Sequence, residues 1–555
     1  MTYFSSFKRQ DIVQSMQEEK LDVLVIGGGI TGSGISLDAV TRGLKVGLIE
    51  MQDFAAGTSS RSTKLVHGGL RYLQQFEVKL VAEVGKERAI VYENGPHVTT
   101  PEWMMLPFHK GGTFGPLTTN IGLRVYDFLA GVKKSERRKM LSADEALEKE
   151  PLVKSEELKG AGYYVEYKTD DARLTIEVLK KAVEHGVDAI NYTKAIDFIY
   201  NEHGEISGVK VKDLVSEQTY SLYAKKIINA GGPWVDDLRT IDHSKLGKTL
   251  HLTKGVHLVF SKEKFPLKQA IYFDSPDSRM IFAIPRGNKT YVGTTDTDYK
   301  GDISNPTMTE EDRDYLIHAI NYMFPDVHLE VGDMESSWAG LRPLIAEKEG
   351  ATPDEISRKD EIFISDSGLI SMAGGKLTGY RKMAETAVNT IVEQLKKEEG
   401  VLYSSSETKH LPIAGGEVGG SKGFLSFKKQ AIKQGESLGI PQETVRKFID
   451  TYGANAKILF EIYQARQGEA EHENIDALVF AELIYGMEYE SVYKPVDFFI
   501  RRTGALFFNI AWVKRHKANV IEYMGKVLNW NVEQKNKYVS ELDKALAEAI
   551  IPTDT

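Results

Sequence analysis

The sequence predicts an α/β protein with a doubly wound βαβ domain, a second domain built on an antiparallel sheet, and a mostly helical C-terminal domain. Three observations predict this fold class. A β-branched run, a glycine-rich turn and a helical pattern follow one another within residues 21–50. Short apolar runs separated by turn-forming residues occupy residues 257–294, which favours antiparallel pairing. Beyond residue 422, helical spacing dominates up to about residue 546.

The first βαβ unit begins with the apolar run 21–26, Leu-Asp-Val-Leu-Val-Ile, which is typical of a buried parallel strand. The run stops at three consecutive glycines, 27–29, and passes into a helical pattern over residues 30–42. A second short strand, 46–49, ends at Glu50. The whole segment has the thirty-residue length expected of strand, tight turn, helix and strand.

The spacing Gly27-x-Gly29-x-x-Gly32 points to a bound dinucleotide. Glycines in such a turn let the backbone approach a pyrophosphate, whose charge then meets the amides at the helix N-terminus. Glu50, at the end of the next strand, is placed to accept hydrogen bonds from a ribose. A glycine spacing alone also occurs in structural turns, but its position between strand and helix favours FAD or NAD. An acidic residue at this place disfavours a 2′-phosphate.

The composition excludes several classes of protein. The 555 residues include no cysteine, which removes disulfide frameworks, thiolate nucleophiles, zinc fingers, iron–sulfur clusters and a cysteinyl flavin link. No metal site is predicted, and a reducing cytoplasm is the expected compartment. A net charge of −9 argues against nucleic acid as a partner. Residues 1–20 lack the apolar run of a secretion signal.

Three further glycine-bearing stretches follow strand-like runs: residues 57–72, 227–234 and 369–378. Each alone is more often a turn. Three returns of the chain to one cofactor are a more specific pattern, and the long polar stretch 57–72 has no obvious role in a nicotinamide-binding fold.

Together these stretches resemble the FAD-dependent glycerol-3-phosphate dehydrogenases, within the larger group of flavin amine and alcohol oxidoreductases. The resembling motifs, in order, are Val25-Ile26-Gly27-Gly28-Gly29, His67-Gly68-Gly69-Leu70-Arg71-Tyr72, Asp170-Asp171-Ala172-Arg173, Gly232-Pro233-Trp234-Val235, Lys254-Gly255-Val256-His257, Gly293-Thr294-Thr295-Asp296, Gly340-Leu341-Arg342-Pro343-Leu344 and Gly374-Gly375-Lys376-Leu377-Thr378. They cover about residues 20 to 390. The sequence departs from the expected pattern at Gly379, where a threonine is expected, and at Arg61, where a small residue is expected.

The resemblance implies a division into three domains. The FAD-binding domain is predicted to be discontinuous, with residues 20–95, 160–250 and 345–395. The substrate domain is predicted to comprise residues 96–160 and 251–344, and the helical C-terminal domain residues 400–555. Arg501 and Arg502, in the last domain, are expected at the surface or in a cap over the active site.

The resemblance also implies the reaction: oxidation of sn-glycerol 3-phosphate to dihydroxyacetone phosphate by hydride transfer to FAD, with electrons passed to a membrane quinone. Such a reaction needs cations for the phosphate and a base for the hydroxyl proton. The residues expected at the substrate are Arg71, Tyr72, Arg342 and Lys376, with His257 as the first candidate for the base. His67 is the rival, and an arginine or lysine that lowers the alkoxide pKa is a further alternative. The residues expected to bind FAD are Gly27, Gly29, Gly32, Glu50, Thr58, Ser59, Lys64, Leu65, His67, Gly69, Ala230, Gly231, Trp234, Gly375, Leu377 and Thr378.

Residues 116–139 show apolar residues at spacings of three and four and end in a basic run, a pattern of an amphipathic helix with a cationic end. We expect it to contact the inner face of the cell membrane peripherally, although an ordinary core-facing helix has the same pattern. A homodimer is left open. The alternative functions are a glycerol-3-phosphate oxidase using oxygen, an amine or amino-acid oxidase, and a nucleotide-binding interaction protein with an inert flavin.

Overall fold

The computed structural model describes residues 3–18, 20–67, 78–129, 136–346, 356–357 and 360–553. The strands are β1 (Leu21–Ile26), β2 (Val46–Ile49), β3 (Leu65–Val66), β4 (Thr99–His109), β5 (Lys139–Leu141), β6 (Leu158–Thr169), β7 (Asp188–Ile190), β8 (Thr193–Tyr200), β9 (Ile206–Asp213), β10 (Thr219–Asn229), β11 (Thr249–Ser261), β12 (Ala270–Asp274), β13 (Met280–Arg286), β14 (Lys289–Gly293), β15 (Thr297–Asp298), β16 (Met334–Ala346), β17 (Ile356–Ser357), β18 (Glu361–Ile364) and β19 (Ile370–Ala373).

The helices are α1 (Arg9–Glu18), α2 (Ile30–Thr41), α3 (Val78–Asn94), α4 (Pro116–Leu129), α5 (Ala143–Lys149), α6 (Asp171–Glu184), α7 (Val235–Ile241), α8 (Glu310–Met323), α9 (Tyr380–Glu399), α10 (Gly420–Ser437), α11 (Gln442–Tyr452), α12 (Ala456–Ala465), α13 (Gln467–His472), α14 (Ala477–Tyr489), α15 (Ala505–Phe508), α16 (Ile510–Val527) and α17 (Val532–Glu548). Among the described residues, each helix is too short or too polar to cross a bilayer.

The first sheet is the predicted nucleotide-binding unit, with strand order β18-β19-β10-β1-β2-β7. Strand β1 lies at its centre and pairs in parallel with both β10 and β2. Because both faces of this strand are covered, its residues are apolar almost without interruption. Helix α2 packs against α9, with Gly34 lying against the ring of Tyr380. The predicted doubly wound α/β domain is confirmed.

The second sheet has the order β17-β16-β11-β14-β13-β12-β4-β6-β3. Its pairs are antiparallel apart from β12 with β4, which confirms the predicted antiparallel sheet. The predicted domain boundary at residue 160 falls inside β6, however. This strand pairs with β4 from Leu158 as far as Thr169.

Helices α10 to α17 form the C-terminal part of the chain around their own apolar core, which confirms the predicted helical domain. Phe507, which packs on this core, and Phe508 both contact Trp338 of the second sheet, with ring centroids 5.5 and 5.6 Å away. The C-terminal domain is therefore joined to the sheet that carries part of the candidate site.

The amphipathic helix predicted over residues 116–139 is shorter in the structure. Helix α4 ends at Leu129, residues 130–135 lie outside the described part, and residues 136–138 lead into β5. On α4, Leu117 is 73% and Ile121 is 56% exposed, one helical turn apart. The helix therefore carries an apolar stripe on its outer surface rather than only a core-facing one.

Candidate active site

A cavity of about 980 Å³ lies where the two sheets meet. Its walls come from the glycine turn after β1, the polar stretch 57–67, the turn after β10 and the turn after β19. The second sheet contributes β11 and β16. The cavity thus stands at the carboxyl ends of the parallel strands, the usual ligand site of an open α/β sheet.

The glycine turn is shaped by close backbone approach. Gly27 has a φ of 116°, a left-handed conformation that favours glycine. A Cβ on Gly32 would collide with the carbonyl oxygen of Gly27, so this turn of α2 sits directly on the strand end. Ser59 Oγ accepts a 2.9 Å hydrogen bond from the Ile30 N–H. The turn leaves the helix N-terminus facing the cavity, as an anionic pyrophosphate requires.

Glu50 stands at the end of β2, as the sequence predicts. Its carboxylate accepts hydrogen bonds from the N–H groups of Gly28 and Gln52, both 2.7 Å long. Burial raises the pKa of the Glu50 carboxyl above its ordinary value, against the lowering effect of these two donors. Glu50 also lines the cavity beside the glycine turn.

Most of the residues predicted to bind a cofactor line this one cavity. They are Gly27, Gly29, Glu50, Thr58, Ser59, Leu65, His67, Ala230, Gly231, Trp234, Gly375, Leu377 and Thr378. Gly32 does not line the cavity itself but packs against Gly27, which does. Lys64 does not line the cavity, because its ammonium group forms a buried ion pair with Asp171. Gly69 lies outside the described residues.

Two of the predicted substrate cations, Arg342 and Lys376, line the cavity that the glycine turn also lines. The Arg342 guanidinium group lies across Gly255 and donates to Thr294 Oγ1 at 2.9 Å. It also pairs with Asp296 at 3.1 Å. The predicted partners Arg71 and Tyr72 lie outside the described residues.

His257 and Arg342 reach the same face of the second sheet through strand register. On β11, His257 stands opposite Gly293 on one side and Trp338 on the other. Arg342 stands opposite Thr253, two pleats away. Residues an even number of positions apart along a strand share a face, so the two side chains point to the same side of the sheet. The Arg342 guanidinium then reaches toward His257 by lying over Gly255, the residue between their positions.

The His257 ring is held between neighbours. It stacks on Trp338 with ring centroids 4.7 Å apart, and its Nε2 atom lies 3.0 Å from the hydroxyl of Thr63. Burial, followed by the charges of Arg342 and Lys64, holds the pKa of His257 well below its ordinary value. The ring is only 2% exposed. The imidazole is therefore neutral at pH 7.

His67, the rival candidate, is tied to the cofactor wall. Its N–H and carbonyl oxygen both bond to the Thr378 hydroxyl at 3.1 Å. Burial, then Lys376 and Arg88, lowers the pKa of its ring to about 3. This arrangement suits packing against a cofactor.

The sequence did not identify three cations that line the cavity, Arg61, Lys194 and Arg279, as site residues. Arg61, noted only as a departure from the family pattern, lines the cavity, and burial followed by Arg501 lowers its pKa to about 10. Its place directly after the polar Thr-Ser-Ser run was the available signal. Arg279 lines the cavity from the β12–β13 hairpin and pairs with Asp277 at 2.6 Å. No motif marks that hairpin.

The profile of the family described as FAD dependent oxidoreductase matches residues 22–381. A second profile, for the C-terminal domain of alpha-glycerophosphate oxidase, matches residues 406–535. The first match covers more than half of the chain, and it includes every described wall of the cavity. The fold and the site define this protein as an FAD-dependent oxidoreductase.

Comparisons with individual proteins identify a more specific family. The chain is 59% identical over 551 residues to the aerobic glycerol-3-phosphate dehydrogenase of Bacillus subtilis strain 168, covering 99% of each chain. It is 56% identical to the enzyme of the same name from Staphylococcus haemolyticus, with 98% of each chain covered. The crystal structure of the glycerol-3-phosphate dehydrogenase from Bacillus halodurans complexed with FAD superposes with a TM-score of 0.87 at 49% identity, covering 100% and 99% of the two chains. The chain belongs to the family of the aerobic glycerol-3-phosphate dehydrogenases.

The walls of the cavity fit the FAD that this family uses. The turn takes this tight shape only because Gly27 and Gly32 lack side chains, and the α2 N-terminus that follows it suits an anionic pyrophosphate. Glu50, the residue predicted to bind the ribose, lines the same cavity, and the turns after β10 and β19 form further parts of its wall. The predicted cofactor is confirmed, and the individual contacts of the predicted residues stay predictions.

Proposed function

We propose that this protein oxidises sn-glycerol 3-phosphate to dihydroxyacetone phosphate and that its electrons pass through FAD to a membrane quinone. The names of the curated relatives support the reaction. The observation that carries it is the meeting of Arg342, Lys376 and His257 in the cavity that also contains the cofactor turn. The combination provides cations for a phosphate and a neutral base beside a site for a redox cofactor.

The reaction removes two electrons and two protons from the secondary alcohol. FAD, when bound, supplies the acceptor of the hydride that leaves C2. The remaining tasks fall to this chain: binding a dianionic phosphate, orienting the C2–H bond and removing the hydroxyl proton. Arginine offers a planar fork for phosphate oxygens, and each charge-assisted hydrogen bond contributes about 1.5–3 kcal/mol.

His257 takes the hydroxyl proton in this proposal. Its ring is neutral at pH 7 and lines the cavity beside Arg342. Thr63 fixes the ring through Nε2, and Trp338 fixes its plane. Arg342 beside it stabilises the developing alkoxide, so the low basicity of the buried ring is matched by a substrate whose hydroxyl is easier to deprotonate.

The exposed stripe of α4 supports delivery of electrons to a membrane. The helix begins two residues after Phe114, which lines the cavity. Leu117 and Ile121 point outward from it, and Arg124 lies between them and the basic run that follows. An apolar stripe with cationic flanks binds an anionic bilayer surface. This proposal places the cavity mouth at the inner face of the cell membrane of a cytoplasmic protein.

The substrate is tested by anaerobic bleaching of the flavin absorbance. We expect bleaching by glycerol 3-phosphate, and not by glycerol or amino acids. Arg342→Ala removes up to two charged hydrogen bonds to phosphate, so kcat/KM falls about 100- to 10,000-fold, while the flavin spectrum is retained. Arg446→Ala, on the exposed surface of α11, is the control and keeps full activity. If an amino acid bleaches the flavin and glycerol 3-phosphate does not, the proposed substrate is refuted.

The acceptor is tested on the same bleached protein. We expect a quinone analogue to restore the flavin colour faster than air does. The match of residues 406–535 to an oxidase C-terminal domain makes oxygen the specific alternative, and faster reoxidation by air would establish it instead.

Membrane contact is tested with the double variant Leu117→Ser and Ile121→Ser. We expect wild-type protein to sediment with anionic liposomes and the double variant to remain in solution. Leu246→Ser changes an equally exposed leucine, 79% accessible, at a distant turn, and it serves as the control. Unaltered sedimentation of the double variant contradicts a role of this stripe.

A further inference from the structure

Asp53 forms a buried junction between the cofactor site and the C-terminal domain. It is 1% exposed and lies three residues after Glu50. Arg502 holds it with two hydrogen bonds, from Nη1 at 2.9 Å and from Nη2 at 3.0 Å. Arg501 donates to it through Nε. Asn191 donates to it at 3.2 Å. Both arginines come from the C-terminal domain, more than 440 residues further along the chain.

The segment that carries Asp53 rests directly on the glycine turn. The Ala55 N–H donates to the carbonyl oxygen of Gly28 at 3.0 Å. A Cβ on Gly28 would lie 2.6 Å from the Phe54 ring. Glu50 begins the segment and accepts from the Gly28 N–H. Residues 50–55, which we call the ribose loop, therefore cannot move without moving the glycine turn and the Glu50 carboxylate.

The two arginines are themselves fixed within their domain. They lie on the π-helical turn Asp497–Arg502, and Asp497 accepts a hydrogen bond from Arg501 Nη2 at 2.9 Å. Arg502 Nη2 also donates to the carbonyl oxygen of Glu490 at 2.7 Å. Asp497 additionally accepts from the hydroxyl of Tyr192, which follows β7 of the first sheet. The two guanidinium groups are thus held by Asp497 and Glu490 of the C-terminal domain, and Asp497 is in turn held by Tyr192 next to the first sheet.

The charges of this junction balance only when both domains are in contact. Burial alone would raise the pKa of Asp53, but the guanidinium groups of Arg502 and Arg501 lower it below its ordinary value. A buried ion with its partner removed is strongly unfavourable. Loss of one arginine therefore lets the ribose loop shift until Asp53 finds water or another donor.

We propose that Arg501 and Arg502 are positioning residues through which the C-terminal domain holds the ribose loop and thereby sets the affinity for FAD. They act through Asp53 and do not themselves line the cavity. The inference rests on the use of FAD and not on the identity of the alcohol substrate, so it survives a failure of the proposed substrate. It gives the helical domain a role at the cofactor.

The test compares apo-protein variants by titration with FAD, followed by quenching of flavin fluorescence. Arg502→Met removes the fork, and we expect the FAD Kd to rise at least tenfold. Arg502→Lys keeps the charge and loses the paired geometry, and we expect an intermediate rise. Lys181→Met is the matched control. Lys181 joins α6 to the C-terminal domain through Glu417 at 2.6 Å and contacts neither Asp53 nor the residues that hold Arg502.

For Lys181→Met, which breaks a contact between the same helix and the C-terminal domain, we expect an FAD Kd within twofold of wild type. Titration with adenosine diphosphate locates the effect, because this ligand carries the ribose and pyrophosphate without the flavin ring. Its affinity falls by the same factor as that of FAD if the ribose loop is the target. An unchanged FAD Kd in Arg502→Lys and Arg502→Met overturns the proposal. An equal loss of FAD affinity in Lys181→Met also overturns it, as does a loss that affects FAD but not adenosine diphosphate. If Arg502→Met does not fold, Arg502→Lys alone decides.

Discussion

Replacing Gly293 with alanine is expected to displace the proposed base without removing any functional side chain. Gly293 stands opposite His257, and an added Cβ would overlap Cδ2 of the imidazole most closely and lie 2.6 Å from both Cγ and Nε2, whereas ordinary contact begins at 3.4 Å. The ring must withdraw by more than about 1 Å. It cannot do so freely, because Trp338 stacks on it.

Two magnitudes follow from this overlap. Overpacking a filled core site costs about 1–3 kcal/mol of stability. A misplacement near 1 Å of a catalytic group lowers the rate by about 100-fold. We therefore expect kcat/KM for glycerol 3-phosphate to fall by about that factor, while the protein stays folded and keeps its flavin spectrum, since Gly293 is remote from the glycine turn.

The assay is steady-state reduction of an artificial electron acceptor, with flavin content measured on each preparation. Gly332→Ala is the control, because it adds the same methyl group at a position with nothing within 4 Å. If Gly293→Ala keeps kcat/KM within twofold of wild type, the position of the His257 ring does not govern the chemistry and its role as base is refuted.

Three further outcomes are expected. Gly255→Ala places a Cβ 2.5 Å from Arg342 Nη2, and because this flexible guanidinium can shift, KM rises about tenfold with little change in kcat; an unchanged KM would contradict a phosphate contact at this residue. Burial lowers the pKa of His97 to about 3, so the folded protein does not take up the proton that the unfolded chain binds below about pH 6.5. As the pH is lowered from about 6.5 to 3, the free energy of unfolding therefore decreases by up to about 1.4 kcal/mol per pH unit. In His97→Gln, the free energy of unfolding measured with urea must depend less steeply on pH. Gly32→Ala drives a Cβ into the Gly27 carbonyl, so the purified protein is expected to lack yellow colour, and normal flavin content would refute this reading of the turn.

The cofactor half of the site could be predicted because its signals are local. Gly27, Gly29 and Glu50 lie within one βαβ unit, where strand, turn and helix geometry already fixes which atoms face the ligand. The alternation along β11 likewise puts Gly255 and His257 on one face before any partner strand is known. Lys64 shows the limit of this reasoning, since a polar stretch also contains residues whose partners are inside the protein.

The contribution of the C-terminal domain was not predictable in the same way. The sequence predicts Arg501 and Arg502 at the surface or in a cap over the active site, because a basic pair on a helical segment is usually solvated. In the structure both are buried against Asp53. Arg279 is similar, because a hairpin tip carries no pattern that indicates which cavity it borders.

The sequence by itself determined the nucleotide-binding unit, the three kinds of domain and the set of glycine turns, since each depends on residues within about thirty positions of one another. Only the tertiary structure decided that Arg342 and His257 share one face with the cofactor cavity and that Asp53 is closed by arginines from the far end of the chain. Such pairings depend on strand register and domain contact, which bring together residues that no local pattern relates.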